Sequence, residues 1–340
     1  MAGSLVISLD FELAWGMLGV EDPNGRYRQH LQGVWEVVPG TLERFAAHGI
    51  HATWATVGML TFDGADAWRE AWPDVRPDGI HPTADAYRVT PDAHASFGSV
   101  WFAPDLVDAI VSTPHQELAS HGFAHLPCLE GVDRSSFKAD LAAASRAFKR
   151  WDVTPRSFVW PKHQQRRDWL GDLADAGFVA HRGPAPHLLY KPRPGRAGGM
   201  HVRAGRLADA LLPISGDGAH AWPPPGGTQR PLDVPESHFL RPLPKPLAVT
   251  AHGLQTGRLQ RAMTHAAQAG RLLHLWWHPH NFGGDPAGHL RHLDGLLQHF
   301  QALHQEWDFP SRTMLEAAND VGIVGAADRA RASAAAYTAS

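Results

Sequence analysis

Three short stretches of the sequence hold acids and imidazoles where they could act together. The first is Asp10-Phe11-Glu12, which follows the apolar run Ser4 to Leu9. With Val6 and Ile7 at its centre, that run fits a strand buried on both faces. Side chains alternate along an extended chain, so residues 10 and 12 project to one side and Phe11 to the other. Two carboxylates then face one site at the carboxyl end of a strand, where α/β folds bind their ligands. The second stretch is His121-Gly122-Phe123-Ala124-His125, after the strand-like Glu117 to Ser120. On a helical turn, its i, i+4 spacing would bring both imidazoles within reach of one metal ion. It is not an H-E-x-x-H motif, because position 122 is Gly where that motif places its general base. In the third stretch the apolar strand Leu272 to Trp277 delivers His278 at its carboxyl end. His274 reads as a satisfied core histidine and His280 as a residue capping the turn. An isolated D-x-E is more often a solvated strand end, and with 23 histidines a chance H-x-x-x-H is common. Their shared placement after strands sets these three apart.

Those strands belong to a recurring pattern. A helix opened by Pro39 and Gly40 carries Leu42, Phe45 and Ala46 at helical spacing and ends at His48-Gly49, before the β-prone run Ile50 to Val57. Helical 103–111 precedes the strand before His121, and helical 134–150 precedes the strand Ser157 to Trp160. Helical 168–176 then feeds Phe178 to Ala180, and helical 257–270 feeds Leu272 to Trp277, with helical 289–304 after it. Such alternation argues an α/β fold with a parallel sheet, open or closed into a barrel. Two stretches, 61–100 and 184–246, break it. The second holds 13 of the 27 prolines, and both read as insertions above one face of the fold. The Ala- and Ser-rich run at the end reads as a tail, so the domain is expected over 1–320 and the tail over 321–340.

Composition narrows the function. Across 340 residues, 31 Lys and Arg face 34 Asp and Glu, a net charge of −3, and no basic block appears. A nucleic-acid partner is therefore not expected. Cys128 is the single cysteine, which removes intrachain disulfides and every C-x-x-C zinc or redox motif. No window approaches about 18 uninterrupted apolar residues, so no membrane span is expected. The first residues lack the basic and apolar regions of a secretion signal, and a cytoplasmic location follows as an expectation. The G-x-S-x-G, Walker A and G-x-G-x-x-G signatures are missing.

In order, the pieces resemble the polysaccharide deacetylase family, the NodB-homology group of carbohydrate esterase family 4, over most of Ser4 to Asn319. Ser8-Leu9-Asp10-Phe11-Glu12 looks like the family's first motif, and Gly49 to Gly58 like its second strand. Glu117 to His125 matches E-x-x-x-H-[ST]-x-x-H. Phe158-Val159-Trp160-Pro161 falls where an R-x-P element stands, Ala176-Gly177-Phe178 resembles the next strand entry, and Trp276-Trp277-His278 sits where an L-x-H carries a catalytic His. The resemblance implies an irregular (β/α)7 barrel with two long loop insertions. It makes Asp10 the catalytic base, Glu12, His121 and His125 ligands of one divalent ion, and His278 the catalytic acid. Zinc is the expected ion, with Co, Ni or Mn also suited to two imidazoles and a carboxylate. Two departures matter: the usual Asp-Asp pair is Asp10-Phe11-Glu12, and the Arg of R-x-P is Val159, leaving Lys162 or Arg182 to replace it.

The function implied is a hydrolase of carbon–nitrogen bonds other than peptide bonds, removing acetyl or formyl from an amino sugar that is small, nucleotide-linked or lipid-linked. The alternatives are an allantoinase-like hydrolase of cyclic amides or imides, and a non-catalytic carbohydrate-binding relic. Trp160, Pro161, Lys162, Trp276 and Arg241 are the expected substrate contacts. Both insertions should lie over the carboxyl ends of the strands and form a lidded pocket, with Trp72, Trp101, Trp222, His238 and Arg241 in its wall.

Overall fold

The computed structural model describes residues 1–194, 200–223, 231–242 and 248–322. Of the expected tail, all but Val321 and Gly322 lies outside the described residues.

The apolar run at the start becomes strand β1, Ser4–Phe11, with all eight residues buried. It is flanked on one side by β2, Ala52–Thr56, then β3, Gln116–Ser120, β4, Ser157–Val159, β5, Ala180–Arg182, and β6, Leu232–Asp233. On its other side lie β8, Leu272–Trp277, and β7, His238–Phe239. A short β9, Ser311–Arg312, pairs with the beginning of β1. Every pairing is parallel. The sheet curls into an incomplete parallel barrel with helices outside it.

Strands β6 and β7 stand at opposite edges of the sheet although only Val234–Ser237 separates them, so this segment crosses the gap in the barrel. The backbone N–H groups of Val234 and Glu236 donate to His181 and Gly183 on one edge, and that of Ser237 donates to His274 on the other, at 2.9–3.0 Å. The stretch 184–246 is thus not merely an insertion: it supplies the helix Met200–Leu211 and two barrel strands. Two-residue strands are too short to leave a period-2 pattern, which is why sequence reading passes over them.

Other boundaries shift for local reasons. The helix after β1 runs Val34–His48 and contains Pro39 instead of starting there. Its buried Val34, Val37, Val38, Thr41, Leu42 and Phe45 make a continuous stripe against the sheet, and packing of that stripe outweighs the hydrogen bond that Pro39 cannot donate. Strand β5 lies two residues later than the expected 178–180, which puts Arg182 at its carboxyl end. Inside the barrel, Val6, Ala55, Val159, Ala180, Leu232 and Leu272 meet Met314, Ala317 and Ala318 of the helix Met314–Asp320. A capping box of Thr313 and Glu316 fixes the start of that helix. No described helix is long and apolar enough to cross a membrane.

Candidate active site

Strand register brings the three stretches together. Leu9 pairs with Trp277, so the next residues, Asp10 and His278, stand side by side, Asp10 still paired with Ala55 on its other flank. Phe11 pairs with Thr56 and Thr56 with Ser120, so Glu12 and His121 emerge at one level. Alternation along β1 puts Asp10 on the face opposite Phe11.

Asp10 is 2% exposed and held by Arg182, whose Nη1 donates to Oδ1 and Nη2 to Oδ2, both at 2.7 Å. Arg182 also donates to Ser8 Oγ at 2.9 Å, and its guanidinium lies 4.6 Å from the centre of the Trp276 ring. Burial by itself would raise the Asp10 carboxyl, but the charges of Arg182, His121 and His278 outweigh it and hold the group below the usual carboxylate range. Of the two candidates to replace the missing Arg of R-x-P, Arg182 therefore makes the ion pair, while Lys162 donates to the carbonyl of Leu18 at 3.1 Å. Arg182→Met is expected to destabilise the fold by about 3–5 kcal/mol, because it strands a buried carboxylate. Urea unfolding measures this, and an unchanged midpoint would mean that another cation takes over.

Glu12 Oε2 lies 3.3 Å from His121 Nε2 and 2.9 Å from His125 Nε2, and its Oε1 lies 3.4 Å from His278 Nε2. His278 Nε2 and His121 Nε2 lie 3.8 and 4.0 Å from Asp10 Oδ2. The ligand atoms of Glu12, His121 and His125 fall within 4.8 Å of one another, and all three residues are buried. The chemistry of this donor set fits a divalent ion. His121 Nδ1 is 2.8 Å from the carbonyl of Val159, a contact in which Nδ1 donates and which turns Nε2 toward Glu12. Burial pushes His125 down to about 4, against the pull of Glu12, so at neutral pH it carries the uncharged imidazole that a metal needs. Gly16 packs directly on Glu12: a Cβ there would come within 2.0–2.5 Å of the carboxyl group.

The loop that carries the two histidines is not the helical turn expected from their spacing. Gly122 and His125 have φ of +77° and +51°, and the segment makes a tight irregular loop. Its conformation is set by Asp140, which accepts hydrogen bonds from the backbone N–H groups of Phe123 and Ala124 at 2.8 and 2.9 Å. A Cβ at Gly122 would stand 2.8 Å from Asp140 Oδ2. Asp140 lies mid-helix, and nothing in its sequence context marks it out.

These groups line a cavity of about 250 Å³ at the carboxyl ends of the strands. Of the expected substrate contacts, Lys162, Trp276 and Arg241 are in its wall, and so is His238. Trp160 is not: it is 1% exposed and stacked on Phe137, with ring centres 5.5 Å apart. Pro161 is buried and also outside the wall. Trp72 and Trp101 belong to an indole cluster with Trp68 and Trp15, and Trp222 donates to the carbonyl of Ala2 near the amino end of β1. Stretch 61–100 does pack on the loops that follow β1 and β3, with Ala84 against Gly19 and Gly79 against Gly131, but contributes nothing to the wall. Much of the wall comes instead from 184–246, including Tyr190, Arg193, Arg206 and Glu236. Together with His163, whose Nδ1 is 3.3 Å from Glu236 Oε2, these were missed because none belongs to a recognisable motif: Arg206 lies on the helix Met200–Leu211 and the others lie on short turns and loops.

No family model matches the sequence, and no curated protein does. Solved structures match its shape. A Mycobacterium smegmatis protein named as a polysaccharide deacetylase aligns with a TM-score of 0.59 at 15% identity, covering 94% of this chain and 91% of its own. A probable polysaccharide deacetylase from Pseudomonas aeruginosa PAO1 aligns at 0.53 and 13%, covering 93% and 89%. The Puue allantoinase aligns at 0.51 and 13%, covering 93% and 88%. The chain has the polysaccharide deacetylase fold, an irregular (β/α)7 barrel.

Proposed function

We propose that the protein is a metal-dependent hydrolase that removes an acetyl or formyl group from an amino sugar. The observation that carries this reading is the Asp10 carboxylate, locked by Arg182 4.0 Å from His121 at the edge of the converging Glu12, His121 and His125. A merely structural metal site would have no use for an ionised second acid at its edge. The polysaccharide deacetylases of like fold support the class of reaction.

Glu12, His121 and His125 would hold one divalent ion, zinc foremost. When bound, the ion supplies Lewis acidity, making water a better nucleophile and the acyl oxygen more polarised. Asp10, ionised and oriented by two hydrogen bonds from Arg182, takes the proton of the attacking water. His278 comes from β8 and stands 3.8 Å from Asp10, within reach of the leaving amine, to which it delivers a proton. Trp276 packs against Arg182 and forms part of the cavity wall, so it steadies the cation that orients the base.

The test is release of acetate or formate, with appearance of a free amine, from a panel of N-acylated hexosamines incubated with zinc- or cobalt-loaded protein, with allantoin alongside. Turnover of at least one hexosamine is expected. Hydrolysis of allantoin alone would transfer the chemistry to cyclic amides, and no turnover of any compound would overturn the proposal.

A further inference from the structure

We propose that the substrate is anionic, and that Arg193, Arg206 and Arg241 form the subsite for its phosphate or carboxylate. The inference rests on the deacylase reading for which end of the substrate reacts, and on the charges of the cavity for the rest. In the wall, Asp10 is matched by Arg182, and Glu12 belongs to the metal group. Arg258 pairs with Asp209 at 3.3 Å. Lys162 is tied to a backbone carbonyl. Among the described residues, no carboxylate lies within 4.0 Å of the guanidinium of Arg193, Arg206 or Arg241. Glu236 is the remaining acid of the wall, and burial pushes it up to about 7 against the pull of Arg182, so it supplies only part of one negative charge at neutral pH.

The three guanidiniums are held in place without being neutralised. Arg206 donates through Nε to the carbonyl of Leu189 at 2.9 Å and lies 5.5 Å from the centre of the Tyr190 ring. Tyr190 is itself fixed by a 2.6 Å hydrogen bond to Asp209. Arg193 donates through Nη2 to the carbonyl of Leu188 at 3.2 Å, while its Nη1 is buried and unpartnered. Arg241 lies 5.2 Å from the Phe239 ring centre, and its Nε is likewise buried and unpartnered. Phe239 in turn meets the ring of His278 at 5.8 Å, so this subsite adjoins the reacting end of the cavity. Half-burying cations near one another without counter-charge is unfavourable, and an anion in the cavity reduces that cost. The planar fork of Arg suits phosphate and carboxylate alike.

The test uses sugars without an acyl group, so its outcome is separate from that of the acetate-release assay. Glucose 1-phosphate, glucuronate and glucose are titrated calorimetrically into the purified protein at low salt. At least one anion is expected to bind roughly 10-fold or more tightly than glucose, and the anion that binds identifies the group recognised. Arg206→Gln and Arg241→Gln should each weaken that binding by roughly 10- to 100-fold and leave glucose unaffected. His125→Ala, deprived of the metal group, should retain it. Three results would overturn the subsite: glucose binding as well as both anions, folded Arg variants binding the anion like the parent, or anion binding lost with His125, which would place it on the metal. The comparison of anion with neutral sugar in the unmodified protein decides the matter even if a variant fails to fold. Acetate release from neutral amino sugars with no anion preference would leave the deacylase reading standing and remove this one.

Discussion

Asp10→Asn is expected to keep its metal while kcat falls by about 10² to 10⁴. An amide has nearly the shape of the carboxylate but cannot take a proton from water, so the loss falls on the chemical step and little on KM. The substitution also leaves Arg182, which is buried, facing a neutral partner, and some loss of stability accompanies it. Kinetics are therefore measured well below the unfolding temperature, on protein whose metal content has been determined. A variant within a factor of ten of the parent, at equal metal occupancy, would move the base to another group. His278 and Glu236 are then the side chains in the same cavity to examine.

Removing the metal is expected to be still more severe. Dialysis against a chelator should abolish measurable turnover, and adding zinc or cobalt should restore it. In His125→Ala no addition should do so, since one of three ligands is gone and affinity falls by more than the roughly 10- to 100-fold typical of lost outer-sphere partners. A second readout is independent of activity. Zinc at about 100 times its dissociation constant should stabilise the parent by about 2.7 kcal/mol, seen as a raised melting temperature, and should leave His125→Ala unmoved. Equal metal retention by the variant would exclude His125 as a ligand. Because His125 sits in a loop whose backbone is fixed by Asp140, the variant should fold.

How the sequence relates to this site depends on the distance over which each feature is determined. The run Ser4 to Leu9 is largely apolar with Val6 and Ile7 at its centre, and the period of two along a strand is a local property. That was enough to place Asp10 and Glu12 on one side of a strand end, and the strand-like stretches 117–120 and 272–277 placed His121 and His278 after strands of their own. The alternation of strands and helices, together with the order of the motifs, carried the barrel. The same reasoning misplaced what depends on packing. Trp160 follows a strand end just as His121 does, but stacks on Phe137 in the core. The H-x-x-x-H spacing suggested a helical turn, whereas hydrogen bonds to Asp140, 15 residues beyond His125, make it a loop.

The sequence by itself determined which acids and imidazoles stand at strand ends, and hence the class of chemistry they suit. Only the tertiary structure decided their partners. Arg182 lies 172 residues from Asp10 along the chain and meets it because β5 curls round the barrel to face β1. Arg193, Arg206 and Arg241 come from a proline-rich stretch in which no motif marks them, and they share a cavity because the segment 234–237 draws the two edges of the sheet together. Such pairings follow from strand register, sheet curvature and the crossing of one gap. Each is a sum of contacts between residues distant in sequence, and no local pattern encodes that sum.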